Sequence, residues 1–244
     1  MTEWFEDWFN SKEYLDVYQH RNESDAKLLF ELIIKNIEIS AKGKVLDLAC
    51  GPGRHSILFA RKGFDVTGID LSDNLLRVAE SSARKEKLDI QFIKSDIRKV
   101  ELTDKFDLVV NLFTSFGFFE TDEDNFSIFR TASDLLKPSG YFVFDFLNST
   151  FLKNNLISES SEDKHHEKII QKRRIEGNRV IKDIIIQHNG MIKTFYESVK
   201  LYRCGELHKA IIENGLAIKK TFGDFTGSDF NEATSPRIII IAQK

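Results

Sequence analysis

The chain has 244 residues, 41% hydrophobic and 30% charged, enough to bury one sizeable core with room for a small extra module. That balance excludes a disordered chain, and a net charge of −3 excludes a globally basic binder of nucleic acid or anionic membrane. The two cysteines, Cys50 and Cys204, form no CxxC pair, so neither a disulfide framework nor a metal site is expected, and a reducing, cytoplasmic compartment is.

Met1 to Asn10 carries Glu3, Glu6 and Asp7 among aromatics, unlike the basic start and apolar run of a secretory signal. No apolar stretch is long enough to span a bilayer, so no membrane partner is expected. Trp4, Phe5, Trp8, Phe9, Tyr14 and Tyr18 make an aromatic entry to an amphipathic helix over Ser24 to Ile37. This entry is either a helix pair packed on the domain or a lid over a pocket; residues 1–40 are assigned as a helical lid. A repeating unit follows. Lys44 to Ala49 reads as a buried strand and Gly53 to Lys62 as a helix stopped by Gly63. Phe64 to Ile69 is a second strand, and Ser72 to Lys87 a helix with Ser72 as N-cap. Ile90 to Lys94 and Phe106 to Asn111 are further strands, and Asp122 to Leu136 a helix. Lys137-Pro138-Ser139-Gly140 reads as a stop and turn before a strand over Tyr141 to Phe146. Strands alternating with helices predict an α/β fold with parallel pairing and right-handed crossovers.

From about Ser149 to Leu201 the pattern becomes polar and β-like. Lys168 to Ile175, Arg179 to His188 and Ile192 to Leu201 read as three strands, turned at Gly177-Asn178 and Asn189-Gly190. Glu206 to Asn214 is a helix, and Leu216 to Phe222 and Arg237 to Ala242 an antiparallel pair ending the sheet. The expected division is a core of residues 41–148 and 202–244, with an antiparallel meander inserted at 149–201.

Three segments carry chemistry, each at a strand's carboxyl end, where open α/β sheets bind ligands. In Asp47-Leu48-Ala49-Cys50-Gly51-Pro52-Gly53, Gly51 and Gly53 let the backbone turn sharply beside a ligand. Ser56 stands where a dinucleotide motif needs its third glycine, and a carboxylate at Asp47 suits a sulfonium zwitterion better than a pyrophosphate. Asp70, ending the second strand, can accept hydrogen bonds from both hydroxyls of a ribose. Asp96 can accept from an adenine amino group while Ile97 packs on the ring.

With these segments in order, the chain resembles the class I, Rossmann-like S-adenosylmethionine-dependent methyltransferases. Val45 to Gly53 resembles their glycine-rich motif, Asp70 their ribose acid, Asp96-Ile97 their adenine pair and Phe106 to Asn111 their fourth-strand motif. Tyr14-x-x-x-Tyr18-x-x-Arg21, Gly53-Arg54-His55-Ser56, Thr114 to Phe119 and Ser235-Pro236-Arg237 resemble a bacterial subgroup with a small antiparallel β insertion. The resemblance implies a seven-stranded, mostly parallel sheet whose last strand is antiparallel. It implies S-adenosyl-L-methionine as cofactor, held by Asp47, Ala49, Cys50, Gly51, Gly53, Arg54, Asp70, Leu71, Asp96, Ile97, Asn111 and Leu112.

The expected reaction is in-line methyl transfer to a small-molecule acceptor. Methylation of RNA or protein, or cofactor binding without catalysis, are the alternatives. Tyr14, Tyr18 and Phe116 are the candidate acceptor-binding residues, and Tyr18, Arg21 and Ser115 the candidate catalytic ones. Phe113, Phe116, Phe118 and Phe119 offer either a dry wall for the acceptor or core packing. His55 is a candidate base or a structural residue at a helix start. His165-His166-Glu167 is read as a solvated strand rather than a metal cluster. Lys168, Lys172, Arg173, Arg174, Arg179 and Lys182 are the only candidates for a basic face, so nucleic acid is not the expected partner; the chain is expected as a monomer or homodimer.

Overall fold

Alternating apolar residues on short strands, with helix-forming segments between them, need both sheet faces covered. The computed structural model, which describes residues 3–18, 23–164 and 167–244, meets that need. β1 (Lys44–Leu48), α4 (Arg54–Arg61), β2 (Asp65–Asp70), α5 (Asp73–Lys85), β3 (Ile90–Lys94), β4 (Phe106–Asn111), α6 (Asp122–Leu135) and β5 (Leu136–Leu147) follow in order. α8 (Cys204–Glu213), β10 (Ala217–Phe222) and β11 (Arg237–Gln243) complete the core. The sheet has seven strands in the order β10-β11-β5-β4-β1-β2-β3. β11 pairs antiparallel with β5 and β10, and the remaining pairs are parallel. The chain moves outward from β1 to β3 and returns at β4 on the other side of β1. That reversal opens a crevice at the carboxyl ends of β1 and β4.

Strand alternation sends Leu46, Leu48 and Val109 into the layer under α6 and α8, with Phe129 and Leu207. It sends Val45, Leu108 and Val110 to the other face, against Phe59 of α4 and Leu29 and Ile33 of α3 (Glu23–Asn36). Ser72 caps α5 as expected, its Oγ accepting from the Leu75 amide at 3.2 Å.

Two readings change. The expected turn at Lys137 to Gly140 is absorbed into β5 as a large bulge: Phe106 pairs with Leu136 and Leu108 already with Tyr141. The meander has four strands rather than three, namely β6 (Glu159–Lys164), β7 (Glu167–Glu176), β8 (Arg179–His188) and β9 (Met191–Lys200), and a short helix α7 (Ser149–Asn154) precedes it. Glu-Ser-Ser-Glu-Asp-Lys has no apolar alternation. It becomes a strand because the backbone of β7 needs a partner, and its charge suits an edge.

The aromatic entry forms α1 (Trp4–Phe9) and α2 (Lys12–Tyr18). Trp8, Val17 and Tyr18 pack with Ile169, Ile184 and Ile186 of the small sheet. The carboxyl end of α1 is tied to the core: Ser72 Oγ donates to the Phe9 carbonyl at 2.8 Å, and the Asn74 amide donates to Asn10 Oδ1 at 3.1 Å. Among the described residues, no helix is long and apolar enough to cross a membrane.

Candidate functional site

A cleft lies over the β1–β4 crevice. Ala49 and Gly51 line it from β1, Asp70 and Leu71 from β2, and Asp96 and Ile97 from the end of β3. Phe113, Thr114, Ser115, Phe118 and Phe119 line it from the segment after β4, Phe5, Phe9 and Tyr14 from the N-terminal helices, and Glu197 and Val199 from β9.

The turn after β1 explains the glycines. A Cβ on Gly53, where φ is +77°, would meet the Ala79 Cβ at 2.9 Å and the Phe92 ring at 3.2 Å. A Cβ on Gly51 would meet nothing within 4 Å, so the backbone stands open to the cleft where a ligand can approach it. Asp70 is 8% exposed; its two oxygens accept from the Gly51 amide at 2.8 Å and the Ser72 amide at 2.9 Å. Burial pushes this carboxyl up, and the Ser72, Gly51 and Leu71 amides oppose that shift. Each oxygen retains lone pairs for a further donor. Asp96 caps the 3₁₀ turn Ile97–Lys99 and is gripped by Arg98 Nη2 at 2.6 Å. Burial opposes its ionisation, but the Arg98 guanidinium and amide prevail and hold the carboxyl below its usual range. Arg98 in turn lies 4.1 Å over the Phe119 ring.

Other expected cofactor residues stand behind this surface. Asp47 is buried beneath the turn and accepts from Ser56 Oγ at 2.6 Å; burial pushes its carboxyl up to about 6 against that hydrogen bond. The Cys50 thiol is buried against Gly68, and burial raises it well above the usual thiol range. Asn111 is fully buried and its Nδ2 donates to the Leu48 carbonyl at 2.9 Å and the Ser115 carbonyl at 3.2 Å. Leu112 is buried beside it. Arg54 lies 4.7 Å over the Phe113 ring and faces a neighbouring cleft shared with Pro52, Tyr14 and Tyr18.

The acceptor candidates also separate. Tyr14 and Ser115 line the central cleft. Phe116 does not: it is 2% exposed in an aromatic stack with Phe129, Phe144 and Phe146, so it serves the core and the expectation that it binds the acceptor is corrected. The positive φ of Gly117, where a Cβ would meet the Lys200 carbonyl at 2.8 Å, turns the chain so that Phe116 goes inward while Phe118 and Phe119 face the cleft. His55 is buried, outside the cleft lining, and burial lowers it to about 3, leaving the imidazole neutral. Arg21, His165 and His166 lie outside the described residues. Among the described residues no group of His, Cys, Asp and Glu could hold a metal ion.

Sequence reasoning missed Glu197. Its Oε1 accepts from Trp8 Nε1 at 2.8 Å, its Oε2 pairs with Lys182 Nζ at 2.7 Å, and Tyr18 donates to it as well. Alternation along β9 allowed either face for this carboxylate. Sequence reasoning also missed Asp145, whose side chain is fully buried next to Arg237. Phe113 and Thr114, both non-glycine, have φ of +57° and +66°. That conformation costs about 1–2 kcal/mol per residue, so something must hold it. The Phe113 amide donates to Asp145 Oδ2 at 2.9 Å and the Thr114 amide to the Asp145 carbonyl at 3.2 Å.

Residues 45–140 match the methyltransferase domain family. Over these residues the chain carries a methyltransferase domain. Its cofactor is S-adenosyl-L-methionine. A methyltransferase-named protein of Bacillus subtilis, YqeM, is 40% identical over 111 residues, 45% of this chain and 44% of that relative. The matched stretch is thus under half of the relative's length. An S-adenosylmethionine-dependent methyltransferase from Clostridium acetobutylicum shares the fold with a TM-score of 0.80 at 20% identity, over 95% of this chain and 97% of that one. The sugar N-methyltransferase KedS8 from Streptoalloteichus shares it with a TM-score of 0.70 at 14% identity, over 95% and 92%. The open backbone at Gly51 and the buried, inward carboxylate of Asp70 fit this cofactor.

Proposed function

We propose that the methyltransferase domain acts on a small-molecule acceptor held at the aromatic end of the cleft. One observation carries the reading: the cleft is lined, besides Ala49 and Gly51, by Phe5, Phe9, Tyr14, Phe118 and Phe119, side chains drawn from two distant segments. A concave, largely aromatic cleft suits a compact acceptor better than a strand of RNA or a folded protein surface. The sugar N-methyltransferase likeness supports the same class.

In this reading Asp70 accepts from the ribose hydroxyls, Asp96 and Ile97 hold the adenine, and the Gly51 backbone borders the methionine end. When bound, the cofactor supplies an electrophilic methyl on a sulfonium sulfur. β4 lies on the side of β1 away from β2 and β3, which supports the reading that the Phe113 to Ser115 wall faces the acceptor. Ser115 Oγ donates to the Leu112 carbonyl at 3.1 Å, so its remaining lone pairs can accept an N–H or O–H from the acceptor and orient its nucleophilic atom. Phe118, Phe119, Phe5 and Phe9 exclude water. Residues 1–40 act as the lid, residues 41–148 with 202–244 as the cofactor-binding domain, and residues 149–201 as the inserted wall. Two free thiols support a cytoplasmic location.

RNA or protein methylation draws less support. Lys172 pairs with Glu159, Arg174 with Glu176 and Asp183, and Lys182 with Glu197. Arg173 is bonded to Gln171, and Arg179 turns inward to the Phe118 and Phe119 carbonyls. Three of the six candidate basic residues are thus paired with carboxylates, and Arg179 is turned away from solvent. The test is a screen of amines, phenols, sugars and thiols with methyl-labelled S-adenosylmethionine, beside bulk RNA and protein. Label entering a small molecule is expected; label entering only the macromolecules would overturn the reading.

A further inference from the structure

Neither Asp145 nor Arg237 lines the cleft, yet both are bonded to the segment that does. Asp145 sits on β5, fully buried, and Arg237 opens β11 on the neighbouring strand. Arg237 Nε donates to Asp145 Oδ1 at 2.9 Å, and Arg237 Nη2 donates to Thr114 Oγ1 at 2.9 Å. With the Phe113 and Thr114 amides also on Asp145, the pair grips both left-handed residues by backbone and side chain. Arg237 further lies 5.6 Å from the Phe225 ring, which stacks on Phe113 with centroids 5.3 Å apart. From the other side Asn111 Nδ2 holds the Ser115 carbonyl. The strained segment is therefore clamped at three consecutive residues, Phe113, Thr114 and Ser115, and all three line the cleft. Asp70 and Asp96, on β2 and after β3, share no hydrogen bond with this clamp.

We propose that Asp145 and Arg237 are positioning residues that hold the left-handed Phe113–Thr114 pair in the cleft wall and thereby set the enzyme's affinity for its acceptor rather than for its cofactor. The inference rests on the reading that this wall faces the acceptor. Loss of the guanidinium frees Thr114 Oγ1 and weakens the anchor of two strained residues, so Phe113 and Thr114 relax toward ordinary backbone and the wall loses its fit to the acceptor, while Asn111 still holds Ser115.

The test compares wild type with Arg237→Gln on the full chain, using S-adenosylhomocysteine as the probe. Amide hydrogen exchange across 112–118 is expected to rise about tenfold. Affinity for S-adenosylhomocysteine by titration calorimetry stays within about threefold, because the ribose and adenine contacts lie on other strands. With a small molecule from the screen above, KM rises about tenfold while kcat changes less than about threefold. Unchanged exchange in 112–118, a cofactor affinity that falls as far as the acceptor's, or an unchanged KM would each overturn the proposal. If Arg237→Gln does not fold, Asp145→Asn, of the same shape, carries the same comparison. A wild type that methylates no small molecule sinks the reading of the acceptor, while exchange and cofactor affinity still decide whether the pair holds the wall.

Discussion

The two ends of the cleft are built by different means. At the β1, β2 and β3 end, each expected contact comes from a strand terminus and the turn after it, and the backbone does much of the holding. Gly51 and Ser72 amides fix Asp70, and the Arg98 amide fixes Asp96. At the other end, α1, the segment after β4 and strand β9 meet through side chains: Trp4 against Phe118, Trp8 against Phe195, and Trp8, Tyr18 and Lys182 on Glu197. The first end depends on local geometry and the second on a fold that brings distant segments together. A conserved reaction can keep the first while the second changes with the acceptor.

The largest test of this division is Phe116. Phe116→Ala empties a fully packed aromatic site and is expected to cost about 4 kcal/mol by denaturant unfolding. Folded protein should keep the acceptor KM of wild type; a KM shift larger than about threefold would return Phe116 to the site. Next, Glu197→Ala takes the carboxylate from the mostly buried Lys182 and an acceptor from Trp8 and Tyr18, with an expected loss of about 2 kcal/mol by denaturant unfolding. Cofactor affinity should change less than about threefold, since none of the Glu197 contacts touches Asp70 or Asp96; a parallel loss would break the comparison. At the opposite end, Asp70→Ala should weaken S-adenosylhomocysteine binding about 100-fold, roughly 2.7 kcal/mol, by titration calorimetry.

The smallest effect concerns pH. The folded Asp47 carboxyl titrates at about 6 because it is buried, above its ordinary value of 3.8. The folded state therefore binds a proton more tightly than the unfolded chain, and this favourable contribution is lost as pH rises from 4 through 6. Asp47→Asn does not titrate and keeps an oxygen for Ser56. Its melting temperature relative to wild type should rise between pH 4 and pH 7, by the equivalent of about 2 kcal/mol. A flat difference across that window would mean that Asp47 is solvated rather than buried.

Much of the cofactor end was legible because its signals are local. A glycine turn after an apolar strand, and acids ending the next two strands, each depend on residues close in the chain. Asp47, Cys50 and Asn111 belong to the same motifs but lie beneath the surface, because strand alternation turns every second side chain away from the crevice. The aromatic end of the cleft was legible only as an inventory. The aromatic entry and the Phe113 to Phe119 cluster were visible, but not which rings face the cleft. Strand β6 was not legible because its sequence carries no alternation.

The sequence by itself determined the alternating strands and helices and the order of the Gly51, Asp70 and Asp96 segments, because hydrophobic period and turn chemistry act over a few residues. Only the tertiary structure decided that Phe116 belongs to the core while Phe118 and Phe119 belong to the cleft, and that Glu197 closes it from β9. It alone joined Asp145 and Arg237, 31 and 123 residues beyond Thr114, to the strained segment that contains Thr114. Those pairings depend on β11 entering between β5 and β10, and on α1 reaching the inserted sheet. Such contacts form between segments far apart in the chain, where no local pattern records which partner packing will select.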